Sequence, residues 1–339
     1  MQIVLYEFLT GGGWTNVFPQ MEMPTTLLGE GRAMIQSLAH DFAQLPDVQT
    51  VVLRDSTMPQ LDFPGCHIIP VSADKERSIL EQVSQTVDGV ILIAPEFFNL
   101  LIQRVQWVTD AGGKLLSPDA AFVQLTADKY HTSQLLSASG VPVPSGILLP
   151  DDTPWPDWLT YPVVLKPRFG AGSQDTFLLH EPPPPELRLS LAGDFLVETF
   201  QPGLAASVSF LCGPAGNLAL VPNQQRLTED GRFIYLGGIL PLPPSLSQRA
   251  VQLASQALHA LPAAMGYVGI DLVLGEAASQ DVVMEINPRL TTSYIGLRAA
   301  YSQNLANAWL QVASGFIPPL NPEPVTIQYD ADGNLSKTT

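Results

Sequence analysis

The chain has 339 residues, of which 46% are hydrophobic and only 14% are charged. This length suits two or three packed domains, and the hydrophobic content is sufficient for a sizeable core, which excludes a disordered or collagen-like protein. Thirty-two acidic residues against 16 basic ones give a formal net charge of −16. That balance excludes a nucleic-acid partner held by a basic face, although a few well-placed lysines are enough to hold a small phosphate ligand.

The cysteines and the apolar stretches bear on the cellular compartment. Cys66 and Cys212 lie far apart and predict neither a disulfide scaffold nor a cysteine zinc site. The first residues carry no basic segment ahead of their short apolar run, and no stretch reaches the roughly 18 apolar residues of a membrane span. We therefore expect a cytoplasmic protein without a membrane partner.

Strand and helix patterns alternate over the first third of the chain. Strands are predicted at residues 3–6, 51–53, 89–94 and 114–116, and helices at residues 28–45 and 97–110. A flexible glycine loop at residues 11–13 follows the first strand. Such alternation builds an open parallel sheet covered by helices. The sequence thus predicts a Rossmann-like α/β domain at residues 1–117.

The pattern changes after Pro118. A helix is predicted from residue 120 to near Gly140, because a glycine followed by prolines is typical of a helix end. The elements predicted beyond it are strands at residues 161–166, 195–198 and 206–212, a helix after residue 246 and a pair of strands at residues 266–289. The polar residues 319–339 are predicted to form a loose tail.

Residues 266–289 are the most informative segment, because two apolar runs flank a polar loop, which indicates a β-hairpin. If Leu274 pairs with Val282, then Val273 pairs with Val283, and Asp271 lies directly opposite Glu285. Directly opposed Cβ atoms are about 4.5–5.5 Å apart. In this register, alternation places Val283 and Glu285 on one face of the second strand, together with Asn287.

Two carboxylates held this closely repel each other unless a proton or a cation lies between them. Asn287 follows Glu285 at spacing i, i+2 and adds an amide oxygen. A set of oxygen ligands suits Mg²⁺ better than zinc. The predicted site therefore binds magnesium through Asp271, Glu285 and Asn287; the alternative is an exposed sheet face with solvated acids.

A second candidate site follows Lys166, which ends an apolar strand. The next small residues are Gly170, Ala171, Gly172 and Ser173. Small residues let backbone N–H groups surround phosphate oxygens, and a lysine adds a positive charge. Taken alone, this segment would be an ordinary hairpin turn, Lys129 a solvated helix lysine and Glu198 a charge at a sheet edge. The downstream carboxylate pair favours a phosphate site.

These segments, taken in order, resemble the ATP-grasp superfamily over roughly residues 118–315. The matching residues are ADK (127–129), GVPVP (140–144), VVLKPRFGAGS (163–173), VETF (197–200), GID (269–271) and MEINPR (284–289). The N-terminal domain resembles the pre-ATP-grasp domain. The resemblance implies an ATP-grasp fold of two α+β subdomains, at residues 118–197 with the glycine-rich loop and 198–318 with the metal site, preceded by the α/β domain and followed by the tail at 319–339.

The resemblance also implies roles for individual residues. Lys129 and Lys166 would contact ATP phosphates, with Lys166 also near the adenine. The remaining cofactor-binding residues would be the loop Gly170, Ala171, Gly172 and Ser173 and the hinge Glu198, Thr199 and Phe200, where Glu198 receives the adenine amino group. Asp271, Glu285 and Asn287 would hold one or two Mg²⁺ or Mn²⁺ ions. Arg289 would face the transferred phosphate or the substrate carboxylate, and Arg289 and Lys166 would be catalytic.

The chain departs from the superfamily pattern at two positions. Many members place a ribose-binding Glu after the hinge glycine, where this chain has Gly203-Leu204-Ala205. Some ligases carry an Arg two residues before the metal-binding Asp, where this chain has Gly269. The ribose contact is then unassigned, and the cation for the transition state would come from Arg289 or Arg226.

The resemblance implies an ADP-forming ligase. A substrate carboxylate would attack the γ-phosphate to give an acylphosphate, which an amine displaces. Tyr6-Glu7 before the glycine loop and INPRLTT (286–292) resemble the branch that contains tyramine–glutamate ligases, used in cofactor biosynthesis. The partners would be a small carboxylate such as glutamate and an amine, with a second copy of the chain as a candidate partner. The alternatives are a ligase for other amino acids or a cofactor precursor, and a nucleotide-binding protein without turnover.

The substrates are expected to enter between the N-terminal domain and residues 291–294. Two side chains near this region have two interpretations each. Arg298 either binds an amino-acid carboxylate together with Arg289 or packs as a helix residue. Trp14 either lines the pocket or packs on its own domain.

Overall fold

The computed structural model describes residues 1–149, 158–184 and 190–338. The strands within these ranges form a parallel N-terminal sheet, a small antiparallel sheet in the middle of the chain and a large antiparallel sheet near its end. No helix in the described ranges is both long enough and apolar enough to span a membrane.

The N-terminal sheet has the order β3-β2-β1-β4, and all of its strands are parallel. Its strands are β1 (Gln2–Glu7), β2 (Gln49–Asp55), β3 (His67–Val71) and β4 (Gly89–Ile93). The helices of this domain are α1 (Gly13–Val17), α2 (Thr25–Ala43), α3 (Glu76–Ser84) and α4 (Leu100–Asp110). The predicted parallel α/β sheet is confirmed.

Several elements of this domain differ from the prediction. Strand β3 and helix α3 were not predicted, because β3 is a half-exposed edge strand that contains Pro70 and lacks a continuous apolar run. The strand predicted at residues 114–116 is wrong, because it forms only an isolated bridge between Leu115 and Val90.

The single helix predicted from residue 120 to Gly140 is also wrong. The chain forms two helices, α5 (Ala120–Ala127) and α6 (Lys129–Ala138), separated by Asp128. Asp128 has extended backbone angles, and its side chain accepts a hydrogen bond from the His131 N–H, so it caps α6. The break places Lys129 in the first turn of α6.

The small sheet has the order β5-β8-β6-β7 with antiparallel pairs. Its strands are β5 (Gly146–Leu148), β6 (Val163–Pro167), β7 (Phe177–Leu179) and β8 (Phe195–Thr199). The predicted subdomain boundary at residue 198 falls inside β8. The glycine-rich segment 170–173 connects β6 to β7.

The large sheet has the order β14-β13-β9-β11-β12-β15-β16, with β10 paired to β9. Its strands are β9 (Leu204–Gly213), β10 (Gly216–Ala219), β11 (Asn223–Leu227), β12 (Tyr235–Leu240), β13 (Gly266–Leu274), β14 (Val282–Asn287), β15 (Thr326–Asp330) and β16 (Leu335–Thr338). The helices of this region are α7 (Pro244–His259), α8 (Ser293–Leu297) and α9 (Leu305–Ala313).

The predicted loose tail at residues 319–339 is wrong. Strand β15 pairs with β12 inside the large sheet, and Ile327 and Tyr329 are buried in the core. Thr326 and Gln328, which alternate with them, are exposed. This period of two is the signal of a half-buried strand, and the surrounding polar residues hid it.

Helix α2 joins the N-terminal domain to the large sheet. Leu38 and Phe42 share one hydrophobic core with Tyr294 and Trp309. Asp41 accepts hydrogen bonds from the Tyr294 hydroxyl and from Nε and Nη2 of Arg298. Arg298 is therefore a packed residue at the domain junction, as the second interpretation expected.

Replacing Arg298 by alanine should lower the free energy of unfolding by about 3 kcal/mol, because the buried Asp41 carboxylate loses its charged partner. Chemical denaturation measures this change. The control is Arg77→Ala, which removes an exposed pair with Glu81 and should cost less than about 0.5 kcal/mol. Equal effects of the two substitutions would contradict the junction role.

Candidate active site

A cavity of about 1020 Å³ lies between the small sheet, the large sheet and helix α2. It brings together nearly all of the side chains selected from the sequence. The predicted residues on its wall are Lys129, Lys166, Gly170, Ala171, Gly172, Ser173, Glu198, Phe200, Asp271, Glu285, Asn287 and Arg289. Thr199 is not part of the wall, because its backbone pairs with Val163 and its hydroxyl accepts a hydrogen bond from Gln201.

The β13–β14 hairpin places Asp271 opposite Glu285, as predicted. The flanking register is wrong, because a β-bulge shifts the ladder between Asp271 and Leu272. Met284 is the extra residue, and Val283 packs in the hydrophobic core instead of sharing the face of Glu285. The observed pairs beyond the bulge are Leu272 with Val283 and Val273 with Val282.

The environment of Asp271 favours a bound cation. Burial and the neighbouring Glu285 raise the pKa of Asp271 to about 6. Its two oxygens accept hydrogen bonds from Gln225 Nε2 at 2.9 Å and from Asn287 Nδ2 at 3.0 Å. These acids line a cavity and not an exposed sheet face. Within the described ranges no three His, Cys, Asp or Glu side chains cluster as a metal site. A metal held by Asp271 and Glu285 would therefore take its third protein oxygen from the Asn287 amide. Such a set of oxygen ligands suits Mg²⁺.

Lys129 links this hairpin to the glycine-rich loop. Its Nζ lies 2.9 Å from Glu285 Oε1 and donates to the Gly170 carbonyl at 2.6 Å. Only 9% of its side chain is exposed, so the alternative of a solvated helix lysine is wrong. In this position Lys129 is the cation that balances Glu285.

The residues that hold Lys129 in place were not predicted. Arg168, which follows β6, donates from Nε and Nη2 to both carboxylate oxygens of Asp128. The Lys129 N–H in turn donates to the Arg168 carbonyl. Burial works to raise the pKa of Asp128, but the hydrogen bonds from Arg168 hold it below its ordinary value. The start of α6 is thus fixed to the strand that carries Lys166.

Lys166 and Glu198 form an ion pair between the neighbouring strands β6 and β8. Lys166 Nζ lies 2.6 Å from Glu198 Oε1, and both side chains are buried. The alternative of an edge charge at Glu198 is therefore wrong. The pair places the Lys166 ammonium on the cavity wall beside its carboxylate partner.

The glycine-rich loop faces the same cavity. Gly172 and Ser173 have φ angles of +66° and +57°, in the left-handed region where glycine is favoured. A side chain at Gly172 would approach the Leu27 side chain to 3.7 Å. The loop tip therefore lies beside helix α2 of the N-terminal domain.

Arg289 reaches the cavity but is already engaged by an unpredicted carboxylate. Its Nε lies 2.9 Å from Glu96 Oε1, and its Nη2 donates to Glu96 Oε2 at 3.1 Å. Burial disfavours the charged guanidinium, but Glu96 holds the pKa of Arg289 above its ordinary value. Glu96 follows the carboxyl end of β4, and ligand sites of open α/β sheets occur at that end of the strands. This position in the sequence could have identified Glu96 as a candidate site residue.

The structure shows the surroundings of Gly269 and Ala205, the two positions at which the chain departs from the superfamily pattern. A Cβ atom at Gly269 would lie 2.8 Å from Thr291 Cγ2, so an arginine there would require Thr291 to move. Arg226 on β11 lines the cavity and is available as a second cation. Ala205 also lies on the wall and brings no acid to it.

The N-terminal domain contributes one further side chain that was not predicted. Among the described residues on the cavity wall, Glu30 of α2 is the only one from this domain. It accepts a long hydrogen bond of 3.5 Å from Thr292 Oγ1. Burial raises its pKa to about 7. Glu30 directly precedes the segment of α2 that packs on β1. An acid in a mostly apolar helix was the sequence feature from which this residue could have been selected.

The expected substrate entrance is only partly reproduced. Thr291, Thr292 and Ser293 line the cavity, whereas Tyr294 is buried in the domain junction. Trp14 does not line the cavity. It is buried and packs against Phe18 with ring centroids 4.7 Å apart, which confirms the interpretation that it packs on its own domain.

Comparison with known proteins identifies this arrangement. The sequence profile of the ATP-grasp domain matches residues 126–293, and that of the pre ATP-grasp 3 domain matches residues 48–123. The chain belongs to the ATP-grasp family. The predicted ATP-grasp fold with its preceding pre-ATP-grasp domain is confirmed, and with it the prediction of an ATP-dependent carboxylate–amine ligase.

Relatives support the same assignment over most of the length. The chain is 24% identical over 306 residues to tyramine–L-glutamate ligase of Methanocaldococcus fervens, covering 87% of this chain and 89% of the relative. It is 23% identical to tyramine–L-glutamate ligase of Methanocaldococcus jannaschii over 304 residues, covering 87% and 84%. An ATP-grasp superfamily protein from Archaeoglobus fulgidus superposes with a TM-score of 0.72 at 22% identity, covering 97% of this chain and 92% of that one.

Proposed function

We propose that this ligase joins the carboxyl group of L-glutamate, or of a similar amino acid, to a primary amine such as tyramine through an acylphosphate. The single observation that carries the proposal is the convergence of Asp271, Glu285, Lys129 and Lys166 on one cavity beside the glycine-rich loop. The two curated relatives that span most of the chain are named for this substrate pair.

The chain's own residues divide the work of binding Mg·ATP. Lys129, Lys166 and the backbone of residues 170–173 would hold the phosphates, and Glu198 would meet the adenine amino group. Asp271, Glu285 and Asn287 would hold Mg²⁺, which supplies charge neutralisation and orientation of phosphate oxygens. A cation bound at Glu285 would compete with Lys129 for this carboxylate, which frees the Lys129 ammonium to meet a phosphate.

The chemistry requires positioning and charge stabilisation more than proton transfer. A carboxylate oxygen attacks the γ-phosphorus, ADP leaves, and the amine then displaces phosphate from the acyl carbon. Arg289 and Arg226, which line the cavity, would face the transferred phosphoryl group, and the hydrogen bond to Glu96 would orient the Arg289 guanidinium. The proposal includes a role in cofactor biosynthesis, a cytoplasmic location and assembly of two copies of the chain.

A nucleotide-binding protein without turnover is the second candidate, favoured by Ala205 on the cavity wall and by Gly269 two residues before Asp271. ADP release discriminates between the two. We expect ADP and phosphate to form only when ATP, a carboxylate and an amine are all present, with L-glutamate and tyramine as the first pair in a panel of amino acids and amines. Tight ATP binding with no ADP formed across the panel would favour the binding protein.

Removal of the divalent cation should abolish the reaction. We expect ADP formation to vanish in excess chelator and to return with added Mg²⁺ or Mn²⁺, because two apposed carboxylates cannot approach a polyphosphate without a cation between them. Zinc, which prefers nitrogen and sulfur ligands, should restore it poorly. A chelator-insensitive rate would contradict the assignment of Asp271 and Glu285.

A further inference from the structure

The end of the cavity at helix α2 differs in charge from the end that carries the two lysines. Its wall contains the Glu30 carboxylate and the neutral hydroxyls of Thr292, Ser293 and Tyr235. The cation that acts on Glu30 is Arg289, whose Nε and Nη2 are already engaged by Glu96. A further acid, Asp332 in the β15–β16 turn, adds negative potential at Glu30.

Glu30 has acceptor capacity that its protein neighbours do not use. An ionised carboxylate offers about four lone-pair positions, whereas the hydrogen bond from Thr292 is long at 3.5 Å. Burial, with a smaller contribution from Asp332, raises the pKa of this group to about 7, and the charge of Arg289 and the hydrogen bond from Thr292 do not offset it. A carboxylate in this state is stabilised by a cation placed directly against it.

Other charged groups near Glu30 restrict what that cation is. Glu30 acts on the charge of Arg289 together with Glu285, and on the hydroxyl of Tyr235 together with Asp271. Glu30 and the acids of the hairpin therefore add their negative charge to the same cavity, whose wall they all line. A second anion is disfavoured beside Glu30, and a cationic substrate group is favoured.

We propose that Glu30 binds the ammonium group of the amine substrate and so makes the second substrate a primary amine that enters in its protonated form. This inference rests on the proposed function and identifies the group that recognises the attacking substrate. The Thr292 hydroxyl contacts the Glu30 carboxylate, and Glu30 touches the amine.

The step that follows balances in protons and electrons. The ammonium gives one proton to the Glu30 carboxylate and becomes a neutral amine. Its nitrogen lone pair attacks the acyl carbon, the C–N bond forms, and the C–O bond to phosphate breaks. The second proton leaves with the phosphate. A pKa of about 7 suits a group that accepts a proton near neutrality.

The test compares wild type with Glu30→Gln, which keeps the shape and an acceptor for Thr292 but removes the charge. With tyramine we expect KM to rise about 30-fold or more, with KM for L-glutamate and for ATP changed less than about 2-fold. With hydroxylamine, which is uncharged at neutral pH, Glu30→Gln should form the hydroxamate of L-glutamate at the wild-type rate. Glu22→Gln, an exposed acid of the same domain, is the control and should change neither.

Three results would overturn the inference: equal loss of amide and hydroxamate, a raised KM for L-glutamate in place of tyramine, or an unchanged KM for tyramine. If the wild-type protein forms neither ADP nor hydroxamate, the proposed function fails, and direct binding decides the role of Glu30 separately. Calorimetry would then compare tyramine with the alcohol in which hydroxyl replaces its ammonium. Wild type should prefer tyramine and Glu30→Gln should bind the two equally; equal binding by wild type would overturn the inference.

Discussion

Replacing Asp271 by asparagine should lower the rate of ADP formation by about 10³-fold or more, because the cation that neutralises the phosphates loses a charged ligand. The hairpin pairing that presents Asp271 to the cavity does not depend on its charge. The variant should therefore stay folded. Steady-state ADP release with L-glutamate and tyramine measures the effect.

The free energy of unfolding, measured against pH, is a second test of the Asp271→Asn substitution. In the folded protein without metal, the pKa of Asp271 is about 6, above its unfolded value of about 3.9. The folded state then binds more protons, so stability falls as pH rises from about 4 to about 6 and stays low above it. Without metal, Asp271→Asn should be more stable than wild type at pH 8, by up to about 3 kcal/mol, and the difference should disappear below about pH 4.

Glu276→Gln is the matched control for this experiment. Glu276 lies in the exposed loop of the same hairpin and does not line the cavity. It should leave both the rate and the pH dependence of stability unchanged. Wild-type ADP formation by Asp271→Asn would contradict the metal assignment, whatever the stability data show.

Replacing Lys166 by alanine should weaken ATP binding by about 30-fold or more, because a buried cation that faces the cavity is lost. The substitution also leaves the buried Glu198 carboxylate without its partner, which should destabilise the fold by about 3 kcal/mol. Fluorescence or calorimetric titration with ATP measures affinity, and chemical denaturation measures stability.

The double variant Lys166→Ala, Glu198→Gln separates these two effects. Removing the unpaired acid should recover much of the lost stability, whereas ATP affinity should remain low. Lys114→Ala, at an exposed position of the N-terminal domain, should change neither quantity. An unchanged nucleotide affinity in Lys166→Ala would contradict the phosphate-binding role.

The contacts predicted best from the sequence are those between residues close together in the chain. Asp271 and Glu285 were placed together because a hairpin loop fixes which strand residues face each other. The bulge at Met284 was not predictable, since apolar residues fill both the predicted and the observed flanking pairs. The break at Asp128 was also missed, although an acid before Lys129 is a common helix cap.

Contacts between distant parts of the chain were the main failure. Glu96 meets Arg289 across 193 residues and Glu30 meets Thr292 across 262 residues. No local pattern encodes such a contact, because it depends on how the N-terminal domain packs on the large sheet. Strand β15 differs from these contacts, because its alternation of buried and exposed residues is a local signal that the surrounding polar residues hid.

These contacts change the interpretation of the charge balance. Of the 16 basic residues in the chain, Lys129, Lys166, Arg226 and Arg289 meet in one cavity. Three of them are paired with acids, namely Glu285, Glu198 and Glu96. Part of the excess of acidic residues therefore forms ion pairs that position the few basic residues around a site for a polyphosphate.

Transfer of oxygen from the carboxylate to phosphate tests the acylphosphate mechanism most directly. The protein is incubated with ATP, Mg²⁺, tyramine and L-glutamate labelled with ¹⁸O in its carboxyl groups, and the released phosphate is analysed by mass spectrometry. We predict that each phosphate carries one ¹⁸O atom from the carboxylate and that ADP, phosphate and amide form in equal amounts. Phosphate without label, released together with ADP, would show hydrolysis by water and would contradict the ligase mechanism.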